Sequence, residues 1–279
     1  MPELPEVETM KRGILGIIGG RVERINWLSC RLKPITTTPS RQIFRRRAVG
    51  KTIGGVDRVG KRVVIRLDGG YSVVLEPRMT GLVLVSDPPD REHLRWCIDI
   101  VGSKTKKLWY WDRRGLGSVR LFSDTEFQVA LGPEKLGPDA LKVTARVLAD
   151  RFSASRRSIK VALLDQKSLA GIGNLYASEI LHLACIHPST VCNRLRPHDW
   201  KNLHKALKQV LSDAIAHEGS TLSDGTYRNA LNQAGNYQNY HRVYGRAGVR
   251  CIFCGKSEIC RIVQAQRSTF FCPTCQRRR

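Results

Sequence analysis

Apolar residues near the start of the chain recur at helical spacing, namely at Val7, Met10, Ile14 and Ile17. Pro5 suits the first turn of a helix, because a proline there leaves no N–H without a partner. Acidic residues favour the same end, since the helix dipole places partial positive charge there. The spacing therefore predicts an N-terminal helix that ends before Gly19-Gly20.

Alternating apolar and polar residues then predict a series of short β-strands. Residues 21–28 alternate, and runs at 62–67 and 71–75 flank the sequence Asp-Gly-Gly, which is typical of a tight hairpin turn. Further short strands are predicted at residues 82–85, 96–101, 107–111 and 119–122. Many short strands separated by turn residues favour a β-sandwich.

Helical periodicity replaces this alternation in the second half of the chain. Residues 131–140 contain two Gly-Pro pairs, which interrupt both periods, so we place a hinge there. Helices are predicted at residues 143–152, 158–164, 175–183 and 197–217. The chain therefore divides into a β-sandwich domain at 1–130, the hinge, a helical domain at 141–240 and a cysteine-rich segment at 241–279.

The charge balance narrows the class of partner. The 279 residues include 47 lysines and arginines against 24 acidic residues, which gives a net charge of +23. This excess favours a polyanion, and nucleic acid is preferred over anionic lipid because no lipidation signal follows an amphipathic stretch. No apolar run reaches about 18 residues, and charges occur from Glu3 onward, so we predict neither a membrane span nor a signal peptide. We expect a cytosolic protein.

Four of the nine cysteines have the spacing of a metal site. Cys251-x2-Cys254 and Cys272-x2-Cys275 are separated by 17 residues, as in four-cysteine zinc sites. In a cytosolic chain a metal is favoured over disulfides. We therefore predict one structural Zn²⁺ that joins two turns and takes no part in catalysis, with Cys260 outside the ligand set.

Three further features are less specific. Residues 264–271, between the two cysteine pairs, predict a hairpin tip that exposes Arg267. The Gly-Ile-Gly-Asn sequence at 171–174 would let the backbone approach a phosphate, although an ordinary turn between helices is the alternative. Lys61 follows Gly60 at the start of a strand, where a solvated charge is the alternative.

The first residues pair a nucleophile with a proton donor. If Met1 is removed, Pro2 becomes a secondary amine beside the carboxyl group of Glu3. A Schiff base formed by proline is already a cationic iminium, which acts as an electron sink. A buried Glu6 would help to orient the amine. The alternatives are a frayed terminus at Pro2 and a solvated acid at Glu6.

Together these features resemble the formamidopyrimidine-DNA glycosylase/endonuclease VIII family of base excision repair enzymes, over essentially the whole chain. Residues 2–9 resemble the signature start of the formamidopyrimidine branch, and Gly173-Asn174 resembles the turn of its helix-two-turn-helix. The resemblance implies an α+β fold with an N-terminal β-sandwich flanked by helices. A C-terminal helical domain with a helix-two-turn-helix and a four-cysteine zinc finger would follow, with DNA held between the domains.

The resemblance also implies the catalytic roles. Pro2 would attack the sugar carbon of the damaged nucleotide, and Glu3 would donate the proton that assists base loss and ring opening. Lys61 would be the proton donor linked to β-elimination, and Arg267 would assist δ-elimination. The four paired cysteines would bind the zinc.

A second group of residues would bind double-stranded DNA. The implied contacts are His93, Arg114, Arg156, Lys160 and Asn174. Met79, Arg114 and Leu116 resemble the residues that intercalate and fill the space left by the flipped nucleotide. The segment 219–244 would cover the lesion pocket.

One loop departs from the family pattern. The usual Asp-Pro-Arg-Arg-Phe-Gly is Asp-Arg-Arg-Gly-Leu-Gly at 112–117 here, so the proline, the second arginine and the phenylalanine are all replaced. Leu116 keeps an apolar wedge but lacks aromatic stacking. These replacements bear on the preference for the base opposite the lesion.

We therefore predict a bifunctional DNA glycosylase/AP lyase for oxidised purines, including 8-oxoguanine and formamidopyrimidines, that cleaves by β,δ-elimination. Its partner would be double-stranded DNA with oxidised or abasic sites. It would act as a monomer in a bacterial cytoplasm, associated with the nucleoid. The alternatives are an endonuclease VIII-like preference for oxidised pyrimidines and a catalytically silent zinc-ribbon protein that binds DNA damage. The catalytic prediction requires Pro2, Glu3, Lys61 and Arg267 to converge.

Overall fold

The alternating strands form a β-sandwich in the computed structural model, which describes residues 2–278. In chain order the strands are β1 Arg21–Trp27, β2 Thr36–Thr38, β3 Ile53–Val59, β4 Arg62–Leu67, β5 Tyr71–Glu76, β6 Gly81–Leu84, β7 Leu94–Val101, β8 Lys107–Asp112 and β9 Ser118–Ser123. One sheet has the order β1-β7-β8-β6 and the other the order β2-β9-β5-β4-β3. Neighbours are antiparallel except β2 and β9, which are parallel. The predicted sandwich is confirmed, although β2 and β3 are absent from the predicted strands.

Apolar side chains from both sheets meet in one core. In the β4–β5 pair Val63 lies opposite Leu75 and Ile65 lies opposite Val73, and all four are fully buried. They belong to the same cluster as Trp96 of the other sheet. Because burial of one such side chain contributes about 1.5–3 kcal/mol, the sandwich is a firm support for the loops at its edges.

Helix α1, Leu4–Gly13, adds its apolar face to this core. Its fully buried residues include Leu4, Val7 and Met10. The helix ends earlier than predicted, and a 3₁₀ turn at Leu15–Ile17 follows, because glycine is a poor helix former. A Cβ added to Gly13 would lie 2.4 Å from the Cβ of Ala230, so a distant segment packs directly on the helix end.

Two short helices in the N-terminal half of the chain were not predicted, α2 at Arg41–Ala48 and α3 at Asp124–Leu131. Helix α2 turns Phe44 into the core but is otherwise rich in arginine, so no apolar period shows. Helix α3 begins with a capping box, in which the Ser123 hydroxyl accepts the Glu126 N–H at 3.3 Å. The Ser-x-x-Glu spacing is the sequence signal that would have found it.

The second half contains the predicted helices and the hairpin of the cysteine-rich segment. They are α4 Ala145–Phe152, α5 Ile159–Leu163, α6 Asn174–Leu183 and α7 Pro197–Ala216, followed by β10 Cys260–Gln264 and β11 Arg267–Phe271. Helix α7 packs against α4 and α6, where the rings of Phe152 and Trp200 stack with centroids 6.4 Å apart. The fold is therefore α+β, as predicted. Within residues 2–278, every helix is too short or too polar to cross a bilayer.

The chain packs as two units. The first comprises the residues up to Lys135 together with His217–Gln238, and the second comprises Leu136–Ala216 and the residues from Asn239 onward. The structure thus groups residues 217–238 with the sandwich, whereas the sequence analysis includes them in the helical domain. Their contacts explain this: the Val85 N–H, for example, donates to the Ala230 carbonyl at 2.9 Å.

A buried ion pair joins α1 to the end of β3, next to the turn between β3 and β4. Glu8 Oε2 and Arg58 Nε are 2.9 Å apart, and 10% and 5% of their side chains are exposed. Arg58 also donates from Nη1 to the carbonyl of Gly60 at 2.9 Å. Burial alone would raise the pKa of Glu8, but the hydrogen bond and charge of Arg58, with help from two other cations, hold that pKa below its usual value. The pair therefore fixes the turn that precedes Lys61.

We predict that Glu8→Gln destabilises the protein by about 3 kcal/mol at pH 7, because it removes the carboxylate from a buried ion pair with Arg58. With its pKa lowered by folding, Glu8 stabilises the fold fully above its unfolded-state pKa of about 4.3, and this effect disappears as the pH falls through the folded-state value. The difference in the free energy of unfolding between parent and variant, measured with urea, should therefore become smaller below about pH 4. A difference that does not change with pH would contradict the ion pair.

Candidate active site

The N-terminal residues are buried and hydrogen-bonded at the start of α1. Glu3 forms a capping box with Glu6, whose Oε2 accepts the Glu3 N–H at 2.9 Å. Glu6 Oε1 accepts the N–H of Ser220 at 2.9 Å, and only 2% of Glu6 is exposed. Pro2 is buried as well. Glu6 is therefore not a solvated acid, and its carboxylate joins the residue after Pro2 to the 217–238 segment.

The 217–238 segment is irregular, yet several of its polar groups are hydrogen-bonded within its own unit. The Tyr227 hydroxyl donates to the Glu218 carbonyl at 2.8 Å, and the Thr221 hydroxyl donates to the Tyr227 carbonyl at 2.8 Å. Burial and the nearby charge of Glu6 raise the pKa of Tyr227 well above its usual value, so its hydroxyl remains a donor. The segment is thus an ordered neighbour of the chain start, although no periodicity in its sequence predicts this.

The other two catalytic candidates lie in different units. Lys61 precedes β4 and is half-buried in the unit that contains Pro2 and Glu3, where α1 packs against β3 and β4. Arg267 begins β11 in the second unit and is exposed, as predicted. Three of the four candidates therefore belong to one unit.

A buried aspartate organises the loop at 112–117, which we call the wedge loop. Asp112 is fully buried, and its Oδ1 accepts the Thr80 hydroxyl at 2.5 Å and the Arg114 N–H at 3.2 Å. Its Oδ2 accepts the N–H of Gly117 at 2.8 Å. The carboxylate therefore closes the loop and ties it to the turn before β6.

The three predicted wedge residues project from this framework. Met79 is 38% exposed, Arg114 is exposed and Leu116 is half-buried. Gly115, where the family pattern has an arginine, has a φ of +60°, and an added Cβ would lie 2.0 Å from the carbonyl oxygen of Lys33. The replacement of arginine by glycine at this position is therefore required by the close approach of a neighbouring loop.

The predicted DNA contacts His93 and Arg156 have different surroundings. His93 Nδ1 lies 2.8 Å from Asp90 Oδ1, and the Trp111 indole donates to the same oxygen at 3.2 Å. Burial alone would raise the pKa of Asp90, but the His93 backbone N–H, which donates to the same oxygen at 2.9 Å, together with these side-chain hydrogen bonds holds that pKa below its usual value. Asp90 therefore stays a carboxylate that orients the His93 ring. Arg156 is exposed at the surface of the second unit.

Lys160 and Asn174 bind the finger hairpin, which is formed by β10 and β11. Lys160 is fully buried, and its Nζ donates to Asn174 Oδ1 at 2.6 Å, to Thr269 Oγ1 at 2.5 Å and to the Ser268 carbonyl at 3.2 Å. Asn174 Nδ2 donates to the same carbonyl at 2.9 Å. These bonds are enough to use all three ammonium protons. Lys160 therefore holds the residues next to Arg267, and a direct phosphate contact would require the loss of one bond.

The four predicted metal ligands converge in the second unit. The sulfur atoms of Cys251, Cys254, Cys272 and Cys275 lie within 4.8 Å of one another. Sulfurs about 2.3 Å from a tetrahedral zinc are about 3.8 Å apart. The Cys251–Cys275 and Cys254–Cys272 pairs are separated by 3.8 and 3.7 Å. The donor set and its spacing therefore fit a four-coordinate metal, with Cys260 outside the cluster.

An acid that the sequence analysis missed holds the segment before this cluster. Glu179 in α6 is fully buried, and its carboxylate accepts the N–H groups of Arg242 and Val243 at 2.9 Å and of Tyr244 at 2.8 Å. Burial raises the pKa of Glu179 despite these hydrogen bonds. The available signal was a single acid in a mostly apolar helix, where an unpaired charge would be unfavourable.

Comparison with known proteins decides the family. Residues 1–119 match the model of the formamidopyrimidine-DNA glycosylase N-terminal domain, and residues 131–226 match the formamidopyrimidine-DNA glycosylase H2TH domain, the helix-two-turn-helix. The chain belongs to the formamidopyrimidine-DNA glycosylase family. The resemblance drawn from residues 2–9 and from Gly173-Asn174 is thereby confirmed, and the chain is a DNA glycosylase of base excision repair.

Full-length relatives agree with this assignment. The formamidopyrimidine-DNA glycosylase of Chloroflexus aurantiacus is 40% identical in an alignment of 286 positions, which covers 99% of this chain and 98% of the relative. The crystal structure of MutM (Fpg) from Thermus thermophilus gives a TM-score of 0.85 at 33% identity and covers 99% of this chain and 98% of that one.

Lactococcus lactis Fpg provides complexes with damaged DNA. A variant bound to DNA containing Fapy-dG gives a TM-score of 0.85 at 31% identity and covers 99% of this chain and 100% of that one. The wild-type enzyme bound to DNA containing an oxidised pyrimidine gives a TM-score of 0.84 at the same identity and coverage. Structures of this relative thus contain both kinds of damaged DNA.

We predict that Asp112→Asn loosens the wedge loop of this glycosylase, because an amide places a donor against main-chain N–H groups that the carboxylate accepts. The expected loss of stability is about 1–3 kcal/mol, measured by thermal unfolding. Fluorescence anisotropy should show a larger loss of affinity for a duplex with an abasic-site analogue than for undamaged duplex.

Asp150→Asn is the matched control, because it changes the net charge equally at an exposed position of α4. If both variants lose the preference for abasic-site duplex over undamaged duplex to the same extent, the change in charge, rather than the wedge loop, causes the effect.

Proposed function

We propose that this glycosylase removes oxidised purines, including 8-oxoguanine and formamidopyrimidines, and cleaves the strand by β,δ-elimination through a Schiff base on Pro2. The observation that carries the proposal is the burial of Pro2, Glu3 and Glu6 together at the start of α1. Burial of carboxyl groups is unfavourable unless they are bonded. Two such groups beside a candidate nucleophile support a reaction centre.

The proposed reaction begins once Met1 has been removed, because the Pro2 nitrogen is a tertiary amide while Met1 is attached. An α-amino group titrates near ~8, so about a tenth of it is unprotonated at pH 7 and available for attack. The free amine would attack C1′ of the damaged nucleotide. Glu3 would donate a proton that assists base loss. Formation of the N–C1′ bond releases the amine proton, which Glu3 would take up and pass to the ring oxygen as the sugar ring opens, so that Pro2 and C1′ share a cationic iminium bond.

Strand cleavage would follow from this iminium. Because it withdraws electrons, it acidifies the proton at C2′, whose loss expels the 3′ phosphate, and a second elimination expels the 5′ phosphate. We assign Lys61 to the proton transfer of β-elimination and Arg267 to assistance of δ-elimination. Support for Lys61 comes from the turn that Arg58 ties to α1, and support for Arg267 comes from the bonds of Lys160 and Asn174 to the adjoining residues.

The proposed partner is double-stranded DNA that contains oxidised or abasic sites. A net charge of +23 suits a polyanion, and the Lactococcus lactis complexes contain damaged DNA. A damaged base must leave the stack, at a cost of a few kcal/mol. Met79, Arg114 and Leu116 would fill the space it leaves, and His93, Arg156 and Asn174 would bind the backbone. That the enzyme acts as a monomer near the nucleoid stays a prediction.

We further propose that the metal is Zn²⁺. Four thiolates at tetrahedral spacing match its preferred ligands, and a closed shell of four leaves no position for substrate. The metal would stabilise the two cysteine turns beside the finger hairpin and leave the chemistry to Pro2 and Glu3.

A preference for oxidised pyrimidines is the second candidate. It is favoured by one observation, the replacement of the family's phenylalanine by Leu116 in the wedge loop, and by the oxidised-pyrimidine complex of the Lactococcus lactis relative. Single-turnover excision from duplexes carrying 8-oxoguanine, a formamidopyrimidine or thymine glycol, each opposite all four bases, distinguishes the two candidates. Faster excision of thymine glycol than of both purine lesions would reject our proposal.

We predict that Glu3→Gln slows excision of 8-oxoguanine by about 10²–10⁴-fold, the usual contribution of a positioned proton donor. It should reduce borohydride trapping on a preformed abasic site much less, since no base remains to be expelled and only the assistance to ring opening is lost. Pro2→Gly should reduce trapping on both substrates, because the primary amine that replaces proline forms a less cationic adduct. Gel-resolved adducts and peptide mapping by mass spectrometry measure both effects.

The matched control is the chain with Met1 retained, verified by intact mass. Its blocked nitrogen should abolish trapping while the fold is unchanged. Undiminished trapping in the Pro2→Gly variant, or an adduct mapped to another residue, would assign the Schiff base to a different amine.

We predict that Cys272→Ser lowers the zinc content, unfolds the finger and weakens binding to abasic-site DNA, because one of four ligands is lost. Chelation of the parent should do the same. Cys260→Ser is the matched control, since Cys260 lies outside the cluster and should keep one zinc per chain. Elemental analysis and anisotropy at fixed salt measure these outcomes, and unchanged binding after verified metal loss would contradict the structural role.

A further inference from the structure

A hydrogen bond joins the wedge loop to the 217–238 segment. Arg113 Nη2 donates to Thr226 Oγ1 at 2.9 Å. Only 6% of Thr226 is exposed, and its hydroxyl donates to the Asp224 carbonyl at 3.3 Å. The Thr226 N–H donates to Asp224 Oδ1 at 3.1 Å, which fixes the local backbone. The Thr226 hydroxyl proton is therefore directed to the Asp224 carbonyl, and the lone pairs of Thr226 Oγ1 face the guanidinium of Arg113.

This contact belongs to the present sequence rather than to the family pattern. The pattern has a proline where Arg113 stands, and a proline side chain has no donor for Thr226. Proline also restricts the backbone, so its replacement increases the conformational freedom that the loop loses on folding. Contacts of the new side chain therefore have to restrain the loop in its place.

A second arginine restrains the same residues. Arg95 in β7 is 3% exposed, and it donates from Nε to the Asp112 carbonyl at 2.7 Å and from Nη2 to the Arg113 carbonyl at 3.3 Å. The backbone at the start of the wedge loop is thus fixed to the sheet. The Arg113 side chain is therefore the part of the loop that is hydrogen-bonded to Thr226, and a displacement of Thr226 would act on the loop through this side chain.

The other end of the 217–238 segment is bonded to the candidate reaction centre. The Ser220 N–H and the Glu3 N–H both donate to the Glu6 carboxylate, at 2.9 Å each. Between these ends, the Tyr227 hydroxyl donates to the Glu218 carbonyl at 2.8 Å. A continuous set of hydrogen bonds within one unit therefore runs from the chain start, through the segment, to the wedge loop.

We propose that Arg113 is a positioning residue that couples the 217–238 segment to the wedge loop, so that lesion recognition and the preference for the opposite base depend on one hydrogen bond. The proposal rests on the proposed function and on the family resemblance, which implies that residues 219–244 cover the lesion and that the wedge loop bears on the opposite-base preference. A lesion that displaces Thr226 displaces the Arg113 side chain, and through it bears on Arg114 and Leu116. Coupling is reciprocal, so insertion of the wedge also favours the position of the segment that accommodates the lesion.

The size of the effect follows from the nature of the bond. Arg113 is exposed, so its bond to a neutral hydroxyl is worth much less than a buried ion pair. We expect a change of about threefold to tenfold in selectivity, with little change in the rate of the favoured reaction. A double-mutant cycle is the appropriate measurement, because it separates coupling from the separate effects of each side chain.

The experiment compares Arg113→Ala, Thr226→Val and the double variant with the parent. The first readout is the ratio of single-turnover excision rates for 8-oxoguanine opposite cytosine and opposite adenine. Thr226→Val keeps the shape and removes the hydroxyl, whereas Thr226→Ser keeps the hydroxyl and should retain the parental ratio. Arg151→Ala, an exposed arginine of α4 in the other unit, measures the effect of removing one positive charge.

The second readout does not require catalysis. A duplex with a tetrahydrofuran abasic-site analogue opposite 2-aminopurine reports wedge insertion as increased fluorescence, because the opposite base loses its stacking. Each single variant should reduce this increase by the same factor. The readout therefore tests the coupling even if the parent excises none of the lesions, an outcome that would reject the proposed function alone.

The proposal is supported if both single variants shift the ratio and the fluorescence equally and the double variant shifts them no further. It is overturned if Thr226→Val matches the parent, or if the two effects multiply in the double variant. An equal effect of Arg151→Ala would also overturn it, since charge alone would then explain the loss. Thermal unfolding of each variant checks that the changes are not a consequence of global destabilisation.

Discussion

A carboxylate that is removed from water must be hydrogen-bonded, and the irregular segments of this enzyme depend on that constraint. Glu6 joins the chain start to the 217–238 segment, Asp112 closes the wedge loop, and Glu179 anchors residues 242–244. In each case the carboxylate accepts main-chain N–H groups that have no partner in a sheet or in the body of a helix. The segments therefore have defined positions without regular secondary structure of their own.

This use of acidic residues suits a strongly cationic protein. With 24 acids against 47 lysines and arginines, each acid placed inside leaves more of the surface to positive side chains. Glu8 follows the same pattern, because it neutralises Arg58 within the fold while the exposed arginines stay available to a polyanion. The buried acids thus organise the loops, and the surface cations provide the attraction to phosphate.

Local signals in the sequence were sufficient for the family, the fold class and the metal cluster. Residues 2–9 and the two Cys-x2-Cys pairs are short motifs whose chemistry requires their spacing, and strands such as β4 and β5 alternate clearly. Strand β3 does not alternate clearly, because two glycines interrupt its pattern of apolar and polar residues, and it was not predicted. The bond from Arg113 to Thr226 was also beyond prediction, since it joins residues 113 positions apart and no periodicity relates them.

The chain passes between its two units three times, at residues 135–136, 216–217 and 238–239. A single cut in the predicted hinge would therefore leave the units covalently joined through the other two passages. The return of residues 217–238 to the sandwich also makes them part of the same body as Pro2 and Glu3. Their hydrogen bonds to the chain start form within one unit. The geometry around Pro2 and Glu3 therefore does not depend on the position of the second unit.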